Sequence, residues 1–194
     1  MTKSAVMDHW EQKLRGEALL LPSLQFFKPS FMSLSTPHPL WTTAGSSPSK
    51  VAMATVQAQM ISGRYRTQQL CSHWSPQTTG FCLLSSSCSS TIEDLPHILS
   101  TCNALLPARE KLQRFSSSYS EKHPLVKDIV QTFCQPSHPQ FCQFILDCSV
   151  LPQVILAHQL HGKEILEQLF QLSRTWIYTL HKQRMKMLGR WNIY

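Results

Sequence analysis

The sequence has few acidic residues and no clustered glycines. Its 194 residues include only 11 aspartates and glutamates and 6 scattered glycines, and the one adjacent acidic pair is Glu93-Asp94. A site built on two metal ions needs convergent carboxylates, and a phosphate-binding loop needs closely spaced glycines. We therefore expect a protein that is not an enzyme, although the sequence leaves a Cys-His nucleophile open.

Signals for secretion or membrane insertion are also missing. Residues 1–10 carry Lys3, Asp8 and His9, so they lack the apolar core of a signal peptide, and the apolar stretch 18–27 is too short to cross a bilayer. The 7 cysteines are odd in number and show no paired framework, which favours a reducing compartment. We expect a soluble cytoplasmic or nuclear protein with no membrane partner.

The balance of charge is positive. Lysine and arginine number 18 and the formal net charge is +7, with 9 histidines besides. Such a surface suits the phosphate backbone of RNA or DNA. Many basic proteins bind no nucleic acid, so the charge makes RNA or DNA a candidate partner and no more.

Apolar residues recur at helical spacing along most of the chain, which predicts an all-α fold with a long C-terminal helix. Ser49 is a candidate N-cap, and the serines after residue 115 predict a loop. The predicted helices cover residues 5–21, 49–61, 67–74, 105–115, 124–133, 139–146, 152–160 and 163–188.

Composition divides the chain into four regions: an N-terminal helix with a Pro/Ser-rich apolar segment (1–48), a helical segment (49–80), a cysteine-rich module (81–106) and a C-terminal helical region (107–194). Five prolines predict an irregular path for 22–49. Its large apolar residues predict that the part 22–41 packs on another surface, one that this chain need not supply. Those residues are Phe26, Phe27, Phe31, Met32, Leu34, Leu40 and Trp41.

Cys82, Cys88, His97 and Cys102 are the candidate metal ligands. Three thiolates and one imidazole complete the tetrahedral set of a structural zinc ion and leave no open position for catalysis. The first gap is wider than the usual two to four residues. The alternative is that these are reduced cysteines packed in a small core, which is also our interpretation of Cys71, Cys134, Cys142 and Cys148.

The last two ligands impose a condition on local structure. Glu93 or Asp94 can cap a helix that begins near Pro96. On a regular α-helix, His97 and Cys102 lie about 140° apart around the axis. We therefore expect the helix to end or unwind before Thr101.

Six basic residues are candidate nucleic-acid contacts: Arg64, Arg66, Lys182, Arg184, Lys186 and Arg190. No acidic residue follows Glu167, so the last four carry uncompensated charge next to aromatic side chains. The alternative for both groups is the solvated back of a helix that packs on the core.

The segments QAQMISGRYRTQQLCSHWS, FCLLSSSC and TIEDLPHILSTCNALLPAR resemble the C-terminal tail of reverse transcriptases from non-LTR retrotransposons. That tail follows the polymerase and carries a zinc-knuckle-like motif. The resemblance implies that Cys82, Cys88, His97 and Cys102 bind zinc, that the chain holds RNA or DNA, and that a polymerase-like protein packs on 22–41. No Tyr-x-Asp-Asp motif occurs, so the polymerase centre is absent.

These observations lead to one expected function and one alternative. We expect a non-catalytic, zinc-binding accessory module for RNA or DNA, derived from a retrotransposon. The alternative is a protein-interaction or remnant structural module, including a translated pseudogene fragment, with no nucleic-acid activity.

Overall fold

The structure is a computed structural model that describes residues 3–21, 24–29 and 35–189. These residues form nine α-helices and no strand beyond a single bridge between Phe81 and Ile92, so the predicted all-α class is confirmed. The helices are α1 (Lys3–Leu19), α2 (Pro39–Thr42), α3 (Pro48–Ile61), α4 (Gln68–Ser72), α5 (Leu106–Lys122), α6 (Lys127–Phe133), α7 (Phe141–Asp147), α8 (Pro152–His161) and α9 (Lys163–Met187).

Prolines and one glycine set several helix boundaries. Pro48 and Pro152 each begin a helix, because the first helical position needs no N–H donor and proline already has helical φ. Ser47, not the predicted Ser49, precedes α3, and its side chain makes no capping hydrogen bond. Gly162 separates α8 from α9 with a φ of 72°, a conformation that side chains with a Cβ rarely adopt.

Helix α9 is the centre of the core. Its 25 residues span about 37 Å, and α3, α5, α7 and α8 all pack against it. The buried side includes Leu169, Trp176 and Leu180, each with no exposed surface. The Trp176 indole N–H also donates to Ser116 Oγ on α5 at 2.7 Å, so the largest core side chain has its polar atom satisfied.

The predicted loop after residue 115 is wrong, because α5 continues to Lys122. Ser116 is buried, and its hydroxyl donates to the Leu112 carbonyl at 2.9 Å while accepting from Trp176. Serine is a poor helix former because it competes for backbone hydrogen bonds. Here the serine hydroxyl bonds a carbonyl of its own helix. Packing of Ser116 against α9 therefore lets α5 continue through the serines.

The Pro/Ser-rich segment is less irregular than predicted, since it contains α2. The His38 Nδ1 atom accepts from the Leu40 N–H at 3.1 Å and caps this helix. Leu40 is buried, and Arg174 of α9 donates to the Thr43 hydroxyl at 2.8 Å. Part of the segment therefore packs on this chain, while Phe31, Met32 and Leu34 lie outside the described residues.

No single helix of the described ranges is long and apolar enough to cross a membrane. Residues 141–150 and 152–161 pass that test only as a pair, joined at a bend of 41°.

Candidate metal centre

The four predicted ligands come together in the structure. Cys82, Cys88, His97 and Cys102 are all buried, and their donor atoms lie within 4.8 Å of one another. The Cys82 sulfur is 3.3 Å from that of Cys88 and 3.9 Å from that of Cys102. Two thiolates on one tetrahedral zinc ion have sulfurs about 3.8 Å apart, whereas a disulfide holds them at about 2 Å. The spacing therefore fits a metal ion.

A compact loop closes the wide gap between the first two ligands. The Cys82 N–H donates to the Thr91 carbonyl and the Thr91 N–H donates to the Cys88 carbonyl, both at 2.9 Å. A 3₁₀ turn at Ser86–Cys88 follows Ser85, whose hydroxyl accepts from the Ser87 N–H at 3.2 Å. These bonds fold the extra residues back and bring both sulfurs to one side of the loop.

A π-helical turn at His97–Thr101 presents the other two ligands. Asp94 Oδ1 accepts from the His97 N–H at 2.7 Å, so Asp94 is the cap. The Cys102 N–H reaches back five residues to the His97 carbonyl at 2.7 Å. The helix therefore does not end before Thr101 but unwinds into a π-turn from His97 onward, and the wider turn brings side chains five residues apart onto one side.

The His97 ring has one nitrogen available for a metal. Its Nδ1 lies 3.2 Å from the Thr101 hydroxyl, while its Nε2 is buried without a hydrogen-bond partner. Burial lowers the pKa of His97 below its usual range; the charges of Asp94 and Glu93 oppose this change, and the positive charge of Arg109 adds to it. The neutral imidazole is the form that binds metals, so the unpartnered Nε2 fits the role of the fourth ligand.

Cys82 and Cys102 lie where a cation is needed to hold their thiols ionised. Burial raises the pKa of Cys82 to about 12 and also raises the pKa of Cys102. A metal ion reverses this preference, because a coordinated thiol loses its proton. The ligand set is therefore suited to a cation that prefers sulfur and nitrogen ligands, as zinc does.

Arg109 is a buried cation beside the cluster that the sequence did not reveal. It is 3% exposed, and its Nη2 donates to the Cys102 carbonyl at 2.7 Å, while its Nη1 is buried without a partner. Three thiolates and one imidazole around a divalent ion carry a net charge of −1. The buried guanidinium would offset the charge of such a complex.

Arg184 does not lie on a nucleic-acid-facing surface, which corrects the prediction for this residue. It is 2% exposed and forms an ion pair with Glu93 of the cysteine-rich module, with Nη2 and Oε1 at 2.6 Å. It also donates to the Arg66 carbonyl at 2.9 Å. Position 184 lies one and two turns beyond Leu180 and Ile177, so it continues the buried stripe of α9.

The other five basic candidates are not buried in the core as Arg184 is, or lie outside the described residues. Arg64, Arg66, Lys182 and Lys186 are exposed, and Arg190 lies outside the described residues. Lys182 and Lys186 line one groove together with Lys111 of α5, a residue that the sequence did not single out. Its only signal was a lysine on a predicted helix, and sequence alone could not place that helix next to the end of α9.

The remaining cysteines take no part in this cluster, which is the one group of potential ligands found within the described ranges. Cys134 and Cys148 are buried in the core, and burial raises the pKa of Cys134 to about 12. Both positions agree with the interpretation of these residues as packing thiols.

The fold and the cluster define an all-α protein with a buried Cys₃His group that can hold one metal ion. No family model, no curated protein and no solved structure matches the chain. The comparisons therefore add nothing to the resemblance with retrotransposon reverse transcriptases.

Proposed function

We propose that the protein is a non-catalytic, zinc-binding module that binds RNA or DNA. The observation that carries the zinc assignment is the group of four buried donors, in which His97 Nε2 has no protein partner. Such an atom costs free energy unless it is bound. Four protein ligands saturate a tetrahedral zinc ion, so the metal stabilises structure and has no position for substrate.

The proposed zinc ion joins the two turns of the module. One turn lies in the loop that carries Cys82 and Cys88, and the other is the π-turn that carries His97 and Cys102. Glu93 lies between them and pairs with Arg184 of α9. The metal therefore holds in place a module that is attached directly to the main helix.

The proposed partner is a nucleic acid because the chain carries a net charge of +7 and exposes Arg64, Arg66, Lys182 and Lys186. Tyr65 lies between the two arginines, and its hydroxyl is 3.1 Å from His181 Nδ1 on α9. Both basic groups therefore lie near the C-terminal end of one helix. Descent from a retrotransposon reverse-transcriptase tail, and a polymerase-like partner, belong to the same proposal.

Metal analysis tests the zinc assignment. We expect about one zinc ion per chain in the wild type and almost none in Cys88→Ser, because a hydroxyl is a poor substitute for a thiolate ligand. Cys71→Ser is the matched control, since Cys71 lies outside the cluster, and it should keep its zinc. A folded wild type without metal, or a Cys88→Ser variant with full zinc content, would contradict the proposal.

Salt dependence tests the nucleic-acid assignment. Binding of a 20-nucleotide RNA or a 20-base-pair DNA should weaken steeply between about 50 and 200 mM salt, because each neutralised phosphate releases counterions. The measurement is fluorescence anisotropy of the labelled probe. Absent or salt-independent binding rejects this part of the proposal and leaves the zinc assignment standing.

One observation favours the alternative function as a protein-interaction module. A mainly apolar groove of about 320 Å³ lies between α2 and α3, and its lining includes Phe27, Leu40 and Ile61. Trp41 lines the same groove and is 42% exposed. On this alternative, Trp41→Ser should release a co-purifying protein that the wild type retains, and a pull-down with the wild type and the variant measures the difference.

A further inference from the structure

We infer that the phosphate backbone of the nucleic acid binds in a groove between α5 and α9; this inference rests on the proposed function and assigns it a site. The groove has a volume of about 360 Å³. We call it the lysine groove. Its lining includes Pro107, Ala108 and Lys111 of α5 and Lys182, Gln183 and Lys186 of α9.

The lysine groove collects charge of one sign. Three of its lining residues are lysines, and no acidic residue from the described part of the chain lines the groove. Lys182 and Lys186 lie one turn apart on α9, a like-charge spacing that is unfavourable by itself, and Lys111 faces them from the other helix. Glu110 precedes Lys111, but one helical step turns its side chain about 100° away. A concave surface of this kind concentrates positive potential and attracts anions.

Helix dipoles explain only part of this arrangement. Lys186 lies in the last turn of α9, where a cation is stabilised by the negative end of the helix. Lys111 lies in the second turn of α5, near the positive end, where a lysine gains nothing from the dipole. Its position beside two further lysines therefore points to an external anion.

The start of α5 supplies a second source of positive potential. The residue before α5, Leu105, makes no side-chain capping bond, and the first turn of the helix contains no acidic residue. Pro107 and Ala108 place this end of a 17-residue helix in the wall of the lysine groove. The 3₁₀ turn Asn103–Leu105 runs directly into α5, and the Leu106 N–H donates to the Asn103 carbonyl, so this end of the helix adds positive potential to the groove through its dipole.

The metal centre is adjacent in sequence to the lysine groove. Cys102 lies four residues before α5 begins, and Arg109 in the first turn of α5 donates to the Cys102 carbonyl. The proposed zinc ion thereby fixes the start of α5, which is one wall of the lysine groove. The metal centre and the lysine groove therefore act together, because the metal orients the helix that forms part of the phosphate-binding surface.

The test neutralises the lysine groove without disturbing the core. In Lys111→Gln/Lys182→Gln/Lys186→Gln the three exposed side chains lose their charge. If each lysine neutralises one phosphate, the slope of log affinity against log salt falls by about 2.5. Between 50 and 200 mM salt, the wild type should then lose about thirtyfold more affinity than the variant, measured with the 20-nucleotide RNA and the 20-base-pair DNA.

The matched control removes the same number of charges elsewhere. Lys50→Gln/Lys122→Gln/Lys163→Gln also lowers the net charge from +7 to +4 (7 − 3), and all three of its lysines are exposed. Lys163 lies at the opposite end of α9, about 28 Å from Lys182. The control should keep the wild-type salt slope, and circular dichroism with zinc analysis should show both variants folded and metal-loaded.

Each outcome decides the inference. A groove variant that binds like the wild type would overturn it while the proposed function stands, and so would a control that loses as much affinity as the groove variant. A wild type that binds neither probe rejects the function and the groove together. A wild type that binds tripolyphosphate as tightly as the 20-nucleotide RNA would make the lysine groove a small-anion site and refute the nucleic-acid assignment.

Discussion

The cysteine-rich module and the helices around α9 are held together by different physical forces. The helices bury large apolar side chains such as Trp176 and Leu169 completely. The module consists of short turns; it adds Ile98 and Leu99 to the same apolar core, but its other buried groups include Glu93, His97 and three thiols. Apolar burial stabilises without a partner, whereas buried polar groups stabilise only when something binds them. We therefore expect a metal ion to control the order of the module more than that of the helices, whose stability depends on hydrophobic packing.

Metal removal should have the largest effect and should separate the two regions. After chelation, the amides of 82–102 should lose their protection from hydrogen exchange, because structural zinc supplies a large part of the folding free energy of small modules. Amides of α9 near Leu169 and Trp176 should stay protected. Hydrogen exchange with mass spectrometry, with and without chelator, checks this; equal loss in both regions would contradict the comparison.

Trp176→Ala should destabilise the helical region by about 3–5 kcal/mol, because it removes a buried aromatic side chain and leaves a cavity. The Ser116 hydroxyl also loses its donor. Urea denaturation in a buffer that contains zinc measures the change in the free energy of unfolding. Trp74→Ala is the control, since Trp74 is 69% exposed, and it should change stability by less than about 0.5 kcal/mol.

Arg184→Ala should come next, at about 3 kcal/mol, because it leaves the Glu93 carboxylate buried without its counter-charge. This ion pair links the two regions, so the variant should lower the stability of both. Glu93→Gln combined with Arg184→Met should recover most of the loss, because neither variant side chain carries a charge. Urea denaturation of Arg184→Ala and of the double variant measures the recovery, and a double variant as unstable as Arg184→Ala would count against the ion pair as the link.

The smallest expected effect is a pH dependence from His181, near the C-terminal end of α9. Burial, with the charge of Arg184, lowers its pKa from 6.5, and the Tyr65 hydroxyl lies at its Nδ1. Below 6.5 the unfolded chain binds more protons than the folded protein, so stability from this residue is present above 6.5 and lost as the pH falls. His181→Gln should reduce the fall in the free energy of unfolding between pH 7 and pH 5, measured by urea denaturation at each pH. An unchanged fall would show that other groups cause the pH dependence.

The sequence predicted what depends on periodicity and residue type. The helices and the four ligands follow from apolar spacing and from the chemistry of thiol and imidazole. The loop after residue 115 was wrong because the hydroxyl of Ser116 has a partner on a distant helix. Arg184 was wrong for a similar reason, since its buried partner, Glu93, lies 91 residues away.

Arg109 and Lys111 show the same limit at the candidate sites. Both lie in one predicted helix, yet one is buried beside the metal cluster and the other lines the lysine groove. Periodicity places them on different sides of α5, but it does not say what each side meets. Only the packing of α5 against α9 and against the π-turn determines that.

The π-turn at His97–Thr101 has a consequence for how such ligand sets vary in length. A turn of this kind is an α-helix with one residue inserted, and it brings residues five apart onto the side that an α-helix gives to residues four apart. Deleting Ser100 would therefore convert the turn to an ordinary α-helix and still leave the imidazole and the last thiol neighbours. A histidine and a cysteine separated by three residues on an α-helix would thus present the same donor pair that this π-turn presents with four residues between them.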